Sequence, residues 1–307
     1  MKAARVSGES GLSLVLVLWL LALMFLIAPG FVYTMRIESA ATSSFEDEAS
    51  AWALAVAGVY MAATEVSADY EIVASNEAGL VFLEKTADGF LPLPSKRDFQ
   101  LGEGTVSYRI EDERAKVNLN TAPMGVIDEL LRLSGADKPA RDAISDSIID
   151  WRDENSDFHL NGAEDDYYGS LPFPYGSKDG PFDFIEELLL VKGVSREIFY
   201  GAGGESGIGR LVTVHGDGKL NLNTAGETVL SAVYGEGVAN EILLKRKTEG
   251  PIIIRLHGGL VTSEFFLVTS TGEKGGIRYT IEAAIAKKPG GKDAVFISWR
   301  EHGVGYR

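Results

Sequence analysis

Leu12-Ser-Leu-Val-Leu-Val-Leu-Trp-Leu-Leu-Ala-Leu-Met-Phe-Leu-Ile-Ala-Pro-Gly-Phe-Val-Tyr-Thr-Met35 contains no charged residue. At about 1.5 Å per helical residue it exceeds a hydrocarbon core of ~30 Å, so it reads as a transmembrane helix. Lys2 and Arg5 precede it, and Arg36, Glu38, Glu46, Asp47 and Glu48 follow. The positive-inside tendency then puts the short leader in the cytoplasm and the bulk of the chain outside. A secretory signal has a shorter apolar region of about 7–15 residues and a small-x-small cleavage site, and neither is evident here. Ile37–Tyr70 continues with alanines at 40, 41, 49, 51, 53, 55, 57, 62 and 63, a composition that carries the helix into the aqueous phase. Pro29 and Gly30 are expected to kink it, not end it.

The leader Ser7-Gly-Glu-Ser-Gly11, followed by a membrane helix prolonged into a soluble one, resembles a type IV prepilin. The resemblance implies cleavage between Gly11 and Leu12 by a prepilin peptidase on the cytoplasmic side, with methylation, and retention of the apolar segment. Most members of that family carry a glutamate at the fifth mature position, where it neutralises the amine of a neighbouring subunit. Here that position is Leu16. A carboxylate inside a bilayer needs a partner, and its absence removes the need for a neighbour on that side, which suits a subunit at a filament end.

The chain has 307 residues, 45% hydrophobic and 24% charged, enough for a sizeable core and more than one domain. Its formal charge of −15 repels phosphate backbones. It has no cysteine, which excludes disulfides and thiolate metal sites.

Lys116-Val-Asn-Leu-Asn-Thr-Ala-Pro123 recurs as Lys219-Leu-Asn-Leu-Asn-Thr-Ala-Gly226, each followed by paired aliphatics at 126–127 and 229–230. An alternating strand and a polar turn precede both copies, so the repeated unit exceeds the motif. Each copy is expected to open a helix, with a capping box from Thr224 to Glu227 and Pro123 in a first turn. A glycine turn and a second helix follow in each copy, and a further pair is expected across Pro181–Val194. The whole is similar to helix-hairpin-helix modules, which raises an alternative: a membrane-anchored DNA-binding or DNA-uptake protein. Those modules hold phosphate with turn amides and nearby lysines. Here Asp137 and Glu236 stand in the turns, and Lys245-Arg-Lys247 is one basic cluster on a strongly acidic chain, so the modules read as scaffold.

Asp150–Glu187 holds eleven acidic residues and two bases. Such a segment either stays hydrated and loose or binds a cation. Asp153, Asn155, Asp157, His159, Asn161 and Glu164 fall at places 1, 3, 5, 7, 9 and 12 of a calcium loop, with His159 offering only its carbonyl. Phe158 at place 6, where an EF-hand needs glycine, argues against a true EF-hand. Ile148-Ile-Asp-Trp-Arg-Asp-Glu154, Asn161-Gly-Ala-Glu-Asp-Asp-Tyr-Tyr168, Pro181-Phe-Asp-Phe-Ile-Glu-Glu-Leu-Leu-Leu190 and Val191-Lys-Gly-Val194, in that order, resemble the K class of minor pseudopilins of type II secretion systems. That resemblance implies calcium in the helical part, with Asp153, Asp157, Glu164 and Asp165 as candidate ligands and Asp150 and Asp166 behind them.

Glu264–Thr269, Ile277–Ile285 and Ala294–Trp299 read as an antiparallel meander, to be joined by strands near Val81–Leu83 and Val106–Ile110. The four histidines lack metal-ligand spacing, no nucleophile elbow or phosphate loop is present, and the glycine-rich 201–209 lacks a nucleotide-binding setting. No carboxylate pair is singled out, and no enzyme is expected.

The expected class is α+β: a pilin-like amino-terminal membrane helix packed on an antiparallel sheet, with inserted helical domains of helix-hairpin-helix or SAM-like type. The division is leader 1–11, membrane helix 12–35, amphipathic helix 36–70, first β part 71–115, helical module with acidic insert 116–210, second module 211–262 and closing strands 263–307. The resemblance implies a structural subunit at the tip of the pseudopilus, initiating its assembly for protein export. It further implies a single-pass inner-membrane protein with a periplasmic head. The implied partners are minor pseudopilins of the I, J and H classes, the major pseudopilin, the prepilin peptidase and the inner-membrane assembly platform, and no nucleic acid.

Overall fold

The computed structural model describes residues 9–77, 79–93, 95, 97–203, 207–288 and 293–306, so Lys2, Arg5 and most of the leader lie outside the described residues. Helix α1 (Glu9–Val66) runs through the apolar stretch and beyond it, with Pro29 inside the helix. It holds a span long and apolar enough to cross a membrane, and its described side chains from Leu12 to Glu46 are exposed. Further along, one face turns inward. Ala51, Ala55, Val59, Ala62 and Val66 recur every three or four residues and are fully buried. The helix stops short of the expected Tyr70: the Ser67 hydroxyl donates to the Ala63 carbonyl at 2.7 Å, and Tyr70 turns into the core against Phe82.

That buried face lies on a five-stranded antiparallel sheet of order β10-β9-β8-β5-β4. Its strands are β4 (Asp98–Leu101), β5 (Gly104–Asp112), β8 (Phe265–Lys274), β9 (Ile277–Lys287) and β10 (Ala294–Tyr306), while the short β6 (Val117–Asn118) and β7 (Val212–Thr213) pair with each other in parallel. Small residues set the close approach. A Cβ on Gly272 would meet the Ala51 carbonyl oxygen, and one on Gly58 would meet Ser270 Oγ. Phe266, Val268, Ile281 and Ile285 fill the layer between helix and sheet. The strand expected near Val81–Leu83 does not join this sheet. It is the middle strand β2 (Gly79–Thr86) of a separate meander with β1 (Ile72–Asn76) and β3 (Gly89–Pro92), and its sequence neighbours occupy both of its edges.

Strands β5 and β8 are hydrogen-bonded neighbours, with Arg109 opposite Thr269, although the whole helical region separates them in sequence. That region is an insertion between adjacent strands and has its own core, centred on Leu119, Leu131, Ile144, Tyr168, Leu188 and Leu222. It contains α2 (Met124–Leu133), α3 (Lys138–Arg152), α4 (Asp165–Gly169), α5 (Arg196–Tyr200), α6 (Glu227–Tyr234) and α7 (Glu236–Glu249). The α+β architecture with a long amino-terminal helix, an antiparallel sheet and inserted helices is the one the sequence indicates.

Three local expectations differ. Helix α2 starts at Met124, so Pro123 is its cap residue. The Thr224 capping box does not form, because that hydroxyl donates to Asp112 Oδ2 at 2.6 Å and Gly226 precedes α6 instead. The pair expected across 181–194 is a 3₁₀ turn, Ile185–Leu190, followed beyond Gly193 by the short α5. Asp112 is a joint between sheet and insertion. It is buried, and it also accepts from Asn221 Nδ2 at 2.8 Å and from the Arg114 amide at 2.8 Å. Burial raises its pKa, and hydrogen bonds from Ser263, Thr224, Asn221 and Arg114 pull it back.

Candidate functional site

The repeated Asn-Leu-Asn-Thr-Ala is a two-asparagine clamp. In the first copy the Asn118 side chain accepts from the Asn120 amide at 2.8 Å, while Asn120 clasps the Phe182 backbone, donating to its carbonyl at 3.0 Å and accepting from its amide at 2.7 Å. In the second copy Asn221 accepts from the Asn223 amide at 3.0 Å, and Asn223 clasps Ile252 in the same way, at 2.9 and 2.7 Å. Both clasped residues follow a Gly-Pro pair. An arginine in the last turn of the second helix of each hairpin returns to the motif. Arg152 donates to the carbonyls of Leu119 and Ala122, and Arg246 to those of Leu222 and Ala225. The copies differ in what joins arginine to Gly-Pro: residues 247–249 in the second, residues 153–179 in the first. The acidic segment is therefore a loop grown at one point of one copy, and α3, the clamp and the aromatic side chains beneath it fix its ends.

Beneath this loop, Tyr168 is fully buried, edge-on to Trp151 at 5.2 Å and stacked on Tyr175 at 5.2 Å. Lys192 closes the near side, donating to the carbonyls of Asn161 at 3.0 Å and Gly162 at 2.9 Å. Asp150 on the last turns of α3 is fully buried, and its carboxylate accepts from the Ala163 amide at 2.8 Å and the His159 amide at 3.2 Å. A side chain at Gly162 has no room, since its Cβ would collide with Asp150 Oδ2. Asp150, Asp153 and His159 can each bring a ligand atom within 4.8 Å of the others. Glu164 is 7% exposed, and its Oε1 is buried with no hydrogen-bond partner. Burial pushes its pKa up to about 7; a Ser177 hydrogen bond opposes this, and Asp150, Asp179 and Asp153 reinforce it.

The structure therefore gathers only some of the sequence candidates. Asp150 and Asp153 come together, and Glu164 lies in the field of both. Asp153 accepts from Asn155 and Asn155 from the Asp157 amide, so 153–157 is a chain of side-chain turns; Asp157 itself is exposed. Asp165 is turned to Ser177, accepting from its amide at 2.8 Å, and Asp166 is exposed on α4. Asn161 bonds Asp146 at 2.9 Å. Sequence spacing missed the His159 ring, assigned there only a carbonyl role. Its Nδ1 shares a short hydrogen bond with Asp150, the main reason its pKa is raised. It also missed Asp179, an exposed residue at a positive φ of 50° whose charge acts on Glu164 from further along the chain.

The basic cluster and the turns are used internally. Arg246 is engaged by its two carbonyls, and Lys245 pairs with Glu249 at 3.6 Å. Asp137 caps α3 by accepting from the Ala140 amide at 2.9 Å, and Glu236 lies 3.5 Å from Arg132. Anionic side chains thus stand where a phosphate would approach.

Residues 108–201 match the family described as type II secretion system (T2SS), protein K. A curated relative, type II secretion system protein K of Pectobacterium carotovorum subsp. carotovorum, is 28% identical over 116 residues, covering 33% of this chain and 35% of the relative. A chain in the crystal structure of the GspK–GspI–GspJ complex from the enterotoxigenic Escherichia coli type 2 secretion system superposes with a TM-score of 0.57 at 16% identity. That match covers 87% of this chain and 99% of the other. The family match spans the first repeat and the acidic insert, about a third of the chain, and the structural likeness shows a shared fold: in that region the chain is similar to type II secretion system protein K, and it spans about a third of the length of the curated relative it matches.

Proposed function

We propose that this chain is a minor pseudopilin of the structural, non-enzymatic kind, which assembles with pseudopilins of the I and J classes, and through them the H class and the major pseudopilin. It stands at the pseudopilus tip and initiates assembly for export of folded proteins across the outer membrane. One observation carries the reading. A single helix is both a bilayer-length apolar rod and the packing partner of an antiparallel sheet, and a second domain is inserted between two adjacent strands of that sheet. A head widened in this way does not stack as a repeating shaft unit, and Leu16 in place of a membrane carboxylate removes a reason for a further neighbour. Cleavage by the prepilin peptidase between Gly11 and Leu12, anchoring in the inner membrane at the assembly platform and a periplasmic head complete the proposal. Co-expression of the full chain with I- and J-class subunits, followed by detergent extraction and affinity purification, is expected to yield one co-migrating complex. Recovery of this chain alone would contradict the reading.

The acidic insert suits a hard divalent cation, and calcium is the ion proposed. The fit comes from the buried, unpartnered Glu164 Oε1 and from Asp150 and Asp153, which converge with His159 and whose charges act on Glu164. Asp150, Asp153 and Glu164 would hold the ion, which would supply the positive charge that the loop lacks. Its role would be structural: to brace residues 153–179 on the first repeat.

A further inference from the structure

Trp52 of α1, Tyr279 of β9 and Trp299 of β10 all donate to one exposed carboxylate. The Trp52 and Trp299 indole N–H groups reach Glu301 Oε1 at 3.3 and 3.1 Å, and the Tyr279 hydroxyl reaches Oε2 at 2.6 Å. Three elements are thereby drawn to one point, at the open edge of the sheet where β10 pairs only with β9. All three donors are neutral, and among the described residues no cation pairs with Glu301 or lies over either indole. Trp52 and Trp299 remain 43% and 38% exposed. Because each ring turns its N–H edge to the carboxylate, the surface left to solvent is aromatic carbon, whose faces attract cations. Glu48, one turn before Trp52 on the same face of α1, adds a second negative charge. After the hydrogen bond to Glu301, it helps hold the Tyr279 hydroxyl above its usual range.

We propose that Trp52, Trp299 and Glu301 form a receptor for an arginine or lysine side chain of a partner polypeptide that packs beside α1 at the β10 edge. The cation would lie against the indoles and pair with the carboxylate they orient. Charge complementarity favours a basic partner, since the chain carries −15 and, among the described residues, two carboxylates and no paired base stand at the site. A lipid ammonium is the other source of such a cation, and position disfavours it. Trp52 lies about 25 Å along the helix beyond Met35, whereas each headgroup layer is roughly 5–8 Å thick. The inference deepens the assembly reading, but its test needs no partner subunit, so the two can fail separately.

The test is a titration of the full chain in detergent micelles with arginine amide, read through the indole ¹⁵N–¹H signals of its four tryptophans. Saturable shifts in the millimolar range are expected for Trp52 and Trp299 and not for Trp19 or Trp151. Citrulline amide, which keeps the α-ammonium group but replaces the guanidinium with an uncharged ureido group, should bind at least fivefold more weakly, and Glu301→Gln, which keeps an oxygen for the indoles, should weaken binding of arginine amide at least fivefold. An unmoved Trp151 signal in the variant reports an intact fold. Absence of a saturable shift, an equal response to citrulline amide, or unchanged affinity in Glu301→Gln would each overturn the proposal.

Discussion

Gly162 is small because Asp150 Oδ2 occupies the space a side chain needs, so the residue and the buried carboxylate are one feature. Gly162→Ala is expected to cost about 1–3 kcal/mol by overpacking. It should also abolish any stabilisation by calcium, measured as the difference in Tm of the full chain in detergent with calcium and with a chelator. In the unaltered chain that difference should be several degrees, because an ion bound only by the folded state stabilises it by mass action. Glu164→Gln should remove the difference as well, and raise Tm in the chelator, since it deletes a buried charge that no other group balances. Asp112 gives a separate prediction. Its pKa is raised above the ordinary 3.8, chiefly by burial. The folded state therefore holds this proton more tightly than the unfolded one, and the associated stability is present below the ordinary value and lost as pH rises through the raised one. Asp112→Asn cannot titrate, so the stability of the native chain relative to this variant should fall as pH increases from about 4 toward 8. Chemical denaturation of both at several pH values checks the sign.

The two hairpin elements were legible in the sequence because Asn-Leu-Asn-Thr-Ala repeats nearly unchanged, and because Gly135 and Gly235 occupy positive φ, 85° and 83°, where the turns need them. The closing meander was legible from alternation in residues such as Phe266, Val268 and Ile281, Ala283. What the repeat is for was less visible. The clasp of Asn120 on Phe182 and of Asn223 on Ile252 joins residues at different separations, since the loop 153–179 intervenes only once. The Thr224 capping box failed because a tertiary partner, Asp112, competes for the hydroxyl. The grouping of the candidate carboxylates was less legible for a related reason: spacing along 153–164 favours local turns, whereas the two buried carboxylates, Asp150 of α3 and Glu164, come from different parts of the chain, and the exposed Asp179 reaches Glu164 only through its charge. The symmetry has a consequence. Arg152→Ala and Arg246→Ala each strip the side-chain donors from two carbonyls of the motif, and each should cost about 1–3 kcal/mol. Denaturant midpoints that move for one arginine only would show that the copies are not energetically equivalent.

On the scale of the whole molecule, the ties between rod, sheet and insertion include small side chains where α1 meets β8, Asp112 where β5 meets the second repeat, and the Arg300–Glu186 pair between β10 and the first helical module. The acid-capped turns and the engaged Arg246 predict that the full chain in detergent shows no duplex DNA binding even at low salt, where phosphate attraction is strongest. Fluorescence anisotropy with a labelled duplex checks this. The account depends most on the rod, because everything proposed for assembly requires α1 to remain attached to the head it packs against. Mass spectrometry of the chain isolated from membranes of a host with an active prepilin peptidase measures this directly. The predicted product begins at Leu12 and retains the whole apolar segment, whereas a product beginning beyond Met35 and recovered in the soluble fraction would contradict it.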